Sequence, residues 1–157
     1  MRATPLALAL LLSAPAWADD HAAAEATAAT EEVSLPTGRT VEAEKITDPD
    51  EGSIEHSLIA SMELIRDEKF DEWIGAWCYQ ETCPDDRARE QFKTYQLAAA
   101  SRTVHECMTD DGGVLITRRE ATDESTRLFV YCGPNRMPAP SAHHEADGSW
   151  KVSSFSW

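Results

Sequence analysis

Apolar side chains recur every three to four positions over SIEHSLIASMELIRDEKF. Ile54, Leu58, Met62 and Ile65 form a stripe that Ile59 widens, while Glu55, Glu63 and Asp67 fall on the other side. That period predicts an amphipathic helix, entered through a turn at DPDEG with Ser53 as its N-cap. A second short helix follows in FDEWIGAWC, with Phe70, Trp73, Ile74 and Trp77 as its buried edge. A third is predicted from TCPDD onward through RAREQFKTYQLAAASR, with Thr82 as N-cap and Pro84, Asp85 and Asp86 in a first turn that suits the helix dipole. Ala88, Phe92, Tyr95 and Ala99 mark its inner stripe.

Beyond Thr103 the period shortens to two. Val104 to Met108 suits a short strand, and Asp110-Asp111-Gly112-Gly113 a turn. Val114 to Glu120, Thr126 to Cys132, Ser141 to Glu145 and Trp150 to Ser156 then read as four strands. Asp147-Gly148 is a type I′ hairpin signal between the last two. In the final strand Trp150, Val152, Ser154 and Ser156 share one face, and Lys151, Ser153, Phe155 and Trp157 the other. With an aromatic on each face, this strand is expected to be central or closing in the sheet, and Phe155 and Trp157 could carry a homodimer contact.

Ahead of the helices the pattern fades. Residues 19–52 are rich in Ala, Thr and Glu and lack aromatic residues, which predicts an acidic disordered tether. Within it, Asp48-Pro-Asp50-Glu51-Gly52 lacks the acidic spacing of a calcium loop. Residues 1–18, MRATPLALALLLSAPAWA, read as a secretory signal peptide: Arg2 is the positive end, Leu6 to Leu12 the apolar run, and Ala16-Trp17-Ala18 the cleavage site. The expected organisation is therefore a signal over 1–18, a tether over 19–52 and one α+β domain over 53–157. The expected localisation is exported, periplasmic or secreted.

Charge narrows the partners. The whole chain carries 14 Lys and Arg against 28 Asp and Glu. Removing the signal, with its one Arg, takes the balance from −14 to 13 − 28 = −15. Such a chain repels nucleic acid and anionic lipid, and no segment after the signal is apolar enough to span a membrane. Its partners are an unidentified small ligand or a protein, a basic one if charge decides.

The four cysteines, Cys78, Cys83, Cys107 and Cys132, form an even set that suits two disulfides in an oxidising compartment. Of the three pairings, Cys78–Cys83 as a local staple and Cys107–Cys132 as a long-range bridge are favoured. Neither C-x2-C nor H-x3-H occurs, so zinc is not expected, nor is any other metal or cofactor.

Helices followed by a meander, with KFDEWIGAW on the second helix, CPDDRAREQF opening the third and EADGSWKVSSFS at the close, resemble the NTF2-like superfamily of α+β cones over residues 54–157. The resemblance implies three N-terminal helices packed on a curved antiparallel sheet. It also implies a pocket between them, lined here by Trp77, Phe92, Tyr95, Phe129 and Tyr131. The sequence departs from the superfamily in having only YQET, between Cys78 and Cys83, where a short strand usually stands. Phe129 and Tyr131 alternate with Leu128 and Val130, so only one of those sets can face inward.

Enzymes of this fold pair a base with an oxyanion donor. The candidates are His105, His143 and His144, of which His143 and His144 point to opposite faces, with Tyr95 or Tyr131 as donor. No nucleophile elbow, phosphate loop or dinucleotide fingerprint occurs. Arg118, Arg119 and Arg127 form a small basic area, with Glu120 and Asp123 as neighbours for charge pairing. The leading functional expectation is a non-catalytic binding or accessory module. The alternative is a small isomerase- or dehydratase-like enzyme using a pocket histidine and a tyrosine.

Overall fold

The structure is a computed structural model, and it describes residues 29–134, 136 and 138–155. The expected signal peptide at 1–18 lies outside the described residues. The chain begins with β1 (Ala29–Ser34) and β2 (Thr40–Ile46). Helices α1 (Ile54–Arg66), α2 (Phe70–Trp77) and α3 (Asp86–Gln91) follow. The third continues through a π-helical stretch, Phe92–Leu97, into a last turn at Ala98–Ala100. Strands β3 (Val114–Ala121), β4 (Ser125–Val130), β5 (Ser141–His144) and β6 (Trp150–Ser154) complete one sheet in the order β1-β2-β3-β4-β5-β6, antiparallel throughout.

Two expectations are corrected here. The helices are not N-terminal: a hairpin precedes them, so the three-helices-then-sheet reading fails at its first element. That hairpin is built from residues 29–46, which lie inside the stretch expected to be a disordered tether. Its strands alternate in spite of their composition. Val33 and Leu35 meet Val41, Ala43 and Leu115 in a small apolar cluster, with Tyr131 packed against it. The turn is tight: Leu35 N donates to Arg39 O and Gly38 N to Leu35 O, with Gly38 at φ 76°. The same three-residue loop closes β5–β6. There Glu145 N donates to Ser149 O and Gly148, at φ 86°, to Glu145 O. Only the glycine is left-handed, so this is a type I turn with a bulge rather than the type I′ turn expected.

All three helices cover one face of the sheet. The main core joins Leu58, Met62 and Ile65 of α1 to Trp73, Phe92, Leu97, Val114, Ile116, Leu128, Val130 and Val152. Trp73 is its centre, fully buried, stacked on Phe92 at 5.3 Å between ring centroids and tilted against Phe155 at 5.7 Å. The widened turns from Phe92 to Leu97 let Phe92, Leu97 and Ala100 all face inward. The caps are local: Ser53 Oγ accepts from His56 N, and Asp85 Oδ1 from Ala88 N. Asp85, not Thr82, therefore starts the third helix.

Cys78 pairs with Cys83 and Cys107 with Cys132. The second bridge fixes the segment after the third helix to the end of β4. Val104–Glu106 is a single 3-10 turn there instead of a strand, and only Met108 bridges to Val114.

Of the two expected placements, central or closing, the last strand takes the second: it stands at the edge and closes the sheet. Its outer side is covered by the Cys78–Cys83 loop. Cys78 bridges Val152 in parallel, Tyr79 N donates to Val152 O at 3.0 Å, and Thr82 Oγ1 donates to Ser153 O at 3.2 Å. Because β6 ends at Ser154, strand alternation no longer governs Phe155, and its ring turns into the main core at 5% exposure. Phe155 therefore offers no exposed face for a homodimer, and Trp157 lies outside the described residues.

Candidate functional site

The pocket implied between helices and sheet is filled. The space enclosed by Ile54, Leu58, Leu128, Pro140, Ala142 and Val152 is about 10 Å³, room for one water molecule at most and not for a ligand. The residues expected to line a pocket are dispersed. Phe92 is in the core and Trp77 packs at its margin, with Lys151 Nζ 6.0 Å from its ring. Tyr95 is 71% exposed. Phe129 and Tyr131 lie on the sheet face away from the helices, Phe129 beneath the Arg118 guanidinium at 3.8 Å and Tyr131 against the β1–β2 cluster.

The acid–base candidates do not converge either. His105 is exposed on the 3-10 turn. His143 lies on the outer face of β5, stacked on Tyr79 at 4.3 Å between ring centroids with an interplanar angle of 10°. His144 tilts against Trp150 on the opposite face. Stacking presents the faces of Tyr79 and His143 to each other, which is packing rather than a proton path. Desolvation, with Glu81, Glu145 and Glu124 nearby, pushes the Tyr79 phenol above its ordinary value, so it stays protonated and neutral. Among the described residues no group of three or more His, Cys, Asp or Glu gathers as metal donors. No described helix is long and apolar enough to cross a membrane.

A larger concavity lies elsewhere, where β2 passes into the turn before α1. A cleft of about 390 Å³ is bounded there by Glu44, Asp48, Asp50, Ser53, Glu55 and Arg119. Three elements build it. The register of β3 on β4 shifts between Ile116 and Arg118, so Thr117 is a bulge. The shift turns Arg119, opposite the core residue Leu128, to the helix side and Arg118, opposite Phe129, to the outer side. Arg119 then reaches Glu44 on β2 through Nη1 and Glu55 in the first turn of α1 through Nε, the latter at 3.0 Å. Partial burial opposes the Arg119 charge, but the hydrogen bonds and fields of the two carboxylates outweigh it and raise its pKa.

Arg118, Arg119 and Arg127 therefore do not make one basic patch. Arg118 pairs with Glu120 at 3.2 Å, as anticipated, while Arg127 Nε donates to Ser141 Oγ rather than to Asp123. A second cleft of about 350 Å³, bounded by Thr30, Glu42, Glu44, Ile116, Arg118 and Arg119, shares Glu44 and Arg119 with the first. The two form one groove along β2. Its carboxylates, Glu42, Glu44, Asp48, Asp50 and Glu55, outnumber its cations, Lys45, Arg118 and Arg119, each of which is already paired with an acid.

Sequence reasoning passed over this groove because half of it is made by the hairpin. The available signal was the period-two alternation of Val33 and Leu35, then Val41 and Ala43, across Pro36-Thr37-Gly38. No protein-family model, curated protein or solved structure matches this chain.

Proposed function

We propose that this is an exported, non-catalytic binding module whose working surface is the acidic groove along β2. The observation that carries this reading is the contrast between two of the concave regions. The space under the helices is closed at about 10 Å³, while the groove at Glu44 and Arg119 is open and charged, at about 390 Å³ in its larger half. A buried, apolar cavity is what shifts a base toward catalysis, and a solvated ionic groove is suited to recognition. Two disulfides support an oxidising location, because such bonds persist outside the reducing cytosol. The resemblance to NTF2-like domains rests on sequence motifs over residues 54–157, and it carries no reaction with it.

Native mass spectrometry of mature protein purified from its own envelope or medium, without reductant, tests this reading. A co-purifying molecule or partner protein that is lost from an Arg119→Ala variant is expected. A bare chain at all concentrations, or turnover that depends on His143 or His105, would overturn it.

A further inference from the structure

β1 is the first strand of the sheet, and its outer edge pairs with nothing among the described residues. Five of its six residues are exposed. An open edge is a row of backbone donors and acceptors ready for another strand. What lies beside this edge selects the strand. On the groove side Glu32 stands directly opposite Glu42, both exposed, and Thr30 stands opposite Glu44. Like charges facing each other across a ladder are destabilising, and among the described residues neither Glu32 nor Glu42 forms an ion pair, since Arg118, which lines the same cleft as Glu42, is held by Glu120. Asp48 and Asp50 continue the same sign at the far end of the groove. A second copy of this chain is a poor occupant, because it would bring a second edge carrying Glu31 and Glu32 to an acidic surface and no cation of its own strand.

Resting on the binding-module reading, we propose that the β1 edge and the groove behind it take up an extended, Lys- or Arg-rich segment of a partner protein as a seventh strand. Main-chain bonds to β1 hold the segment. Alternate cationic side chains lie over Glu32 and Glu42, relieving the repulsion between them.

The test uses the full mature chain with both disulfides formed and a ten-residue peptide of alternating Lys and Thr. Two controls accompany it: the Glu-for-Lys peptide, and a peptide of the same charge with N-methylated backbone on alternate residues. Calorimetry should show binding by the Lys peptide alone. Hydrogen exchange should slow several-fold at the β1 amides that point away from β2. The double variant Glu32→Gln/Glu42→Gln, both sites exposed and outside the core, should weaken binding about tenfold with an unchanged far-UV spectrum. Equal binding by the N-methylated peptide, no protection in β1, or full affinity in the double variant would each overturn strand addition. If the peptide fails while a native partner is still captured, this edge is wrong and the binding-module reading survives. If neither binds, both fall.

Discussion

Trp73 offers a sharp test of the packing argument, because two substitutions at it should behave in opposite ways. Its side chain is fully buried, and its Nε1 has no hydrogen-bond partner among the described residues. Trp73→Ala removes the whole indole from between Phe92 and Phe155. Truncations of this kind cost about 3–5 kcal/mol, and losing two aromatic contacts places this one in the upper half of that range. Trp73→Phe keeps a ring stacked on Phe92 and leaves a void of roughly 40 Å³. At about 24 cal/mol per Å³ the void costs about 1 kcal/mol, with a similar loss of transfer energy. Against this, the variant no longer buries an unpaired N–H, which returns about 1–3 kcal/mol. The net change should lie within about 1 kcal/mol of zero by the same two terms. Urea unfolding followed by far-UV circular dichroism measures both variants against the parent, with the denaturant slope checked for constancy. A Trp73→Phe loss as large as that of Trp73→Ala would refute the reasoning, and would mean that the indole N–H is bonded in solution.

Further outcomes follow from other features. Replacing Cys107 and Cys132 together by Ala should cost about 3 kcal/mol, because that bridge spans 25 residues, and replacing Cys78 and Cys83 about 2 kcal/mol, since theirs spans 5; urea midpoints under non-reducing conditions compare them. Gly113→Ala would set a Cβ 2.2 Å from Ile46 O, where β2 meets β3, and should destabilise by about 1–3 kcal/mol in the same assay. Asp111 is hydrogen-bonded by Lys45 and Thr109, which hold its carboxyl down at about 2 against an ordinary 3.8. Its folded pKa lies below its unfolded one, so its contribution is present above about pH 4 and fades as pH falls toward 2. Carboxyl NMR titration should find that midpoint, and Lys45→Met should return it toward the ordinary value.

The parts of the fold legible in the sequence are those whose burial is one-sided and continuous. α1 carries a full apolar stripe, α2 packs three aromatic rings into two turns, and β3 to β6 alternate between clear punctuation. The first hairpin was hidden because its residues are mostly solvated. Only Val33, Leu35 and Ala43 are buried in it, and Thr and Glu fill the rest. Composition averaged over such a stretch resembles a tether even when alternation is present. The bulge at Thr117 was invisible for another reason. An extra residue in one strand is defined by its partner's register, and no local pattern announces it. That single shift decides which of Arg118 and Arg119 faces α1, and so decides whether the groove has a cation at its centre.

The two ends of the sheet are unequal, and the inequality limits what the protein can become. Among the described residues β1 ends the sheet with a bare edge, whereas β6 ends it beneath a loop closed by Cys78 and Cys83. A sheet with two bare edges can stack strand upon strand from molecule to molecule and grow into a fibre. With one edge shut, a strand added at β1 finds no matching edge on a second molecule from which to continue. Growth stops after one addition. The loop that the short disulfide closes thus acts as a chain terminator for the whole sheet.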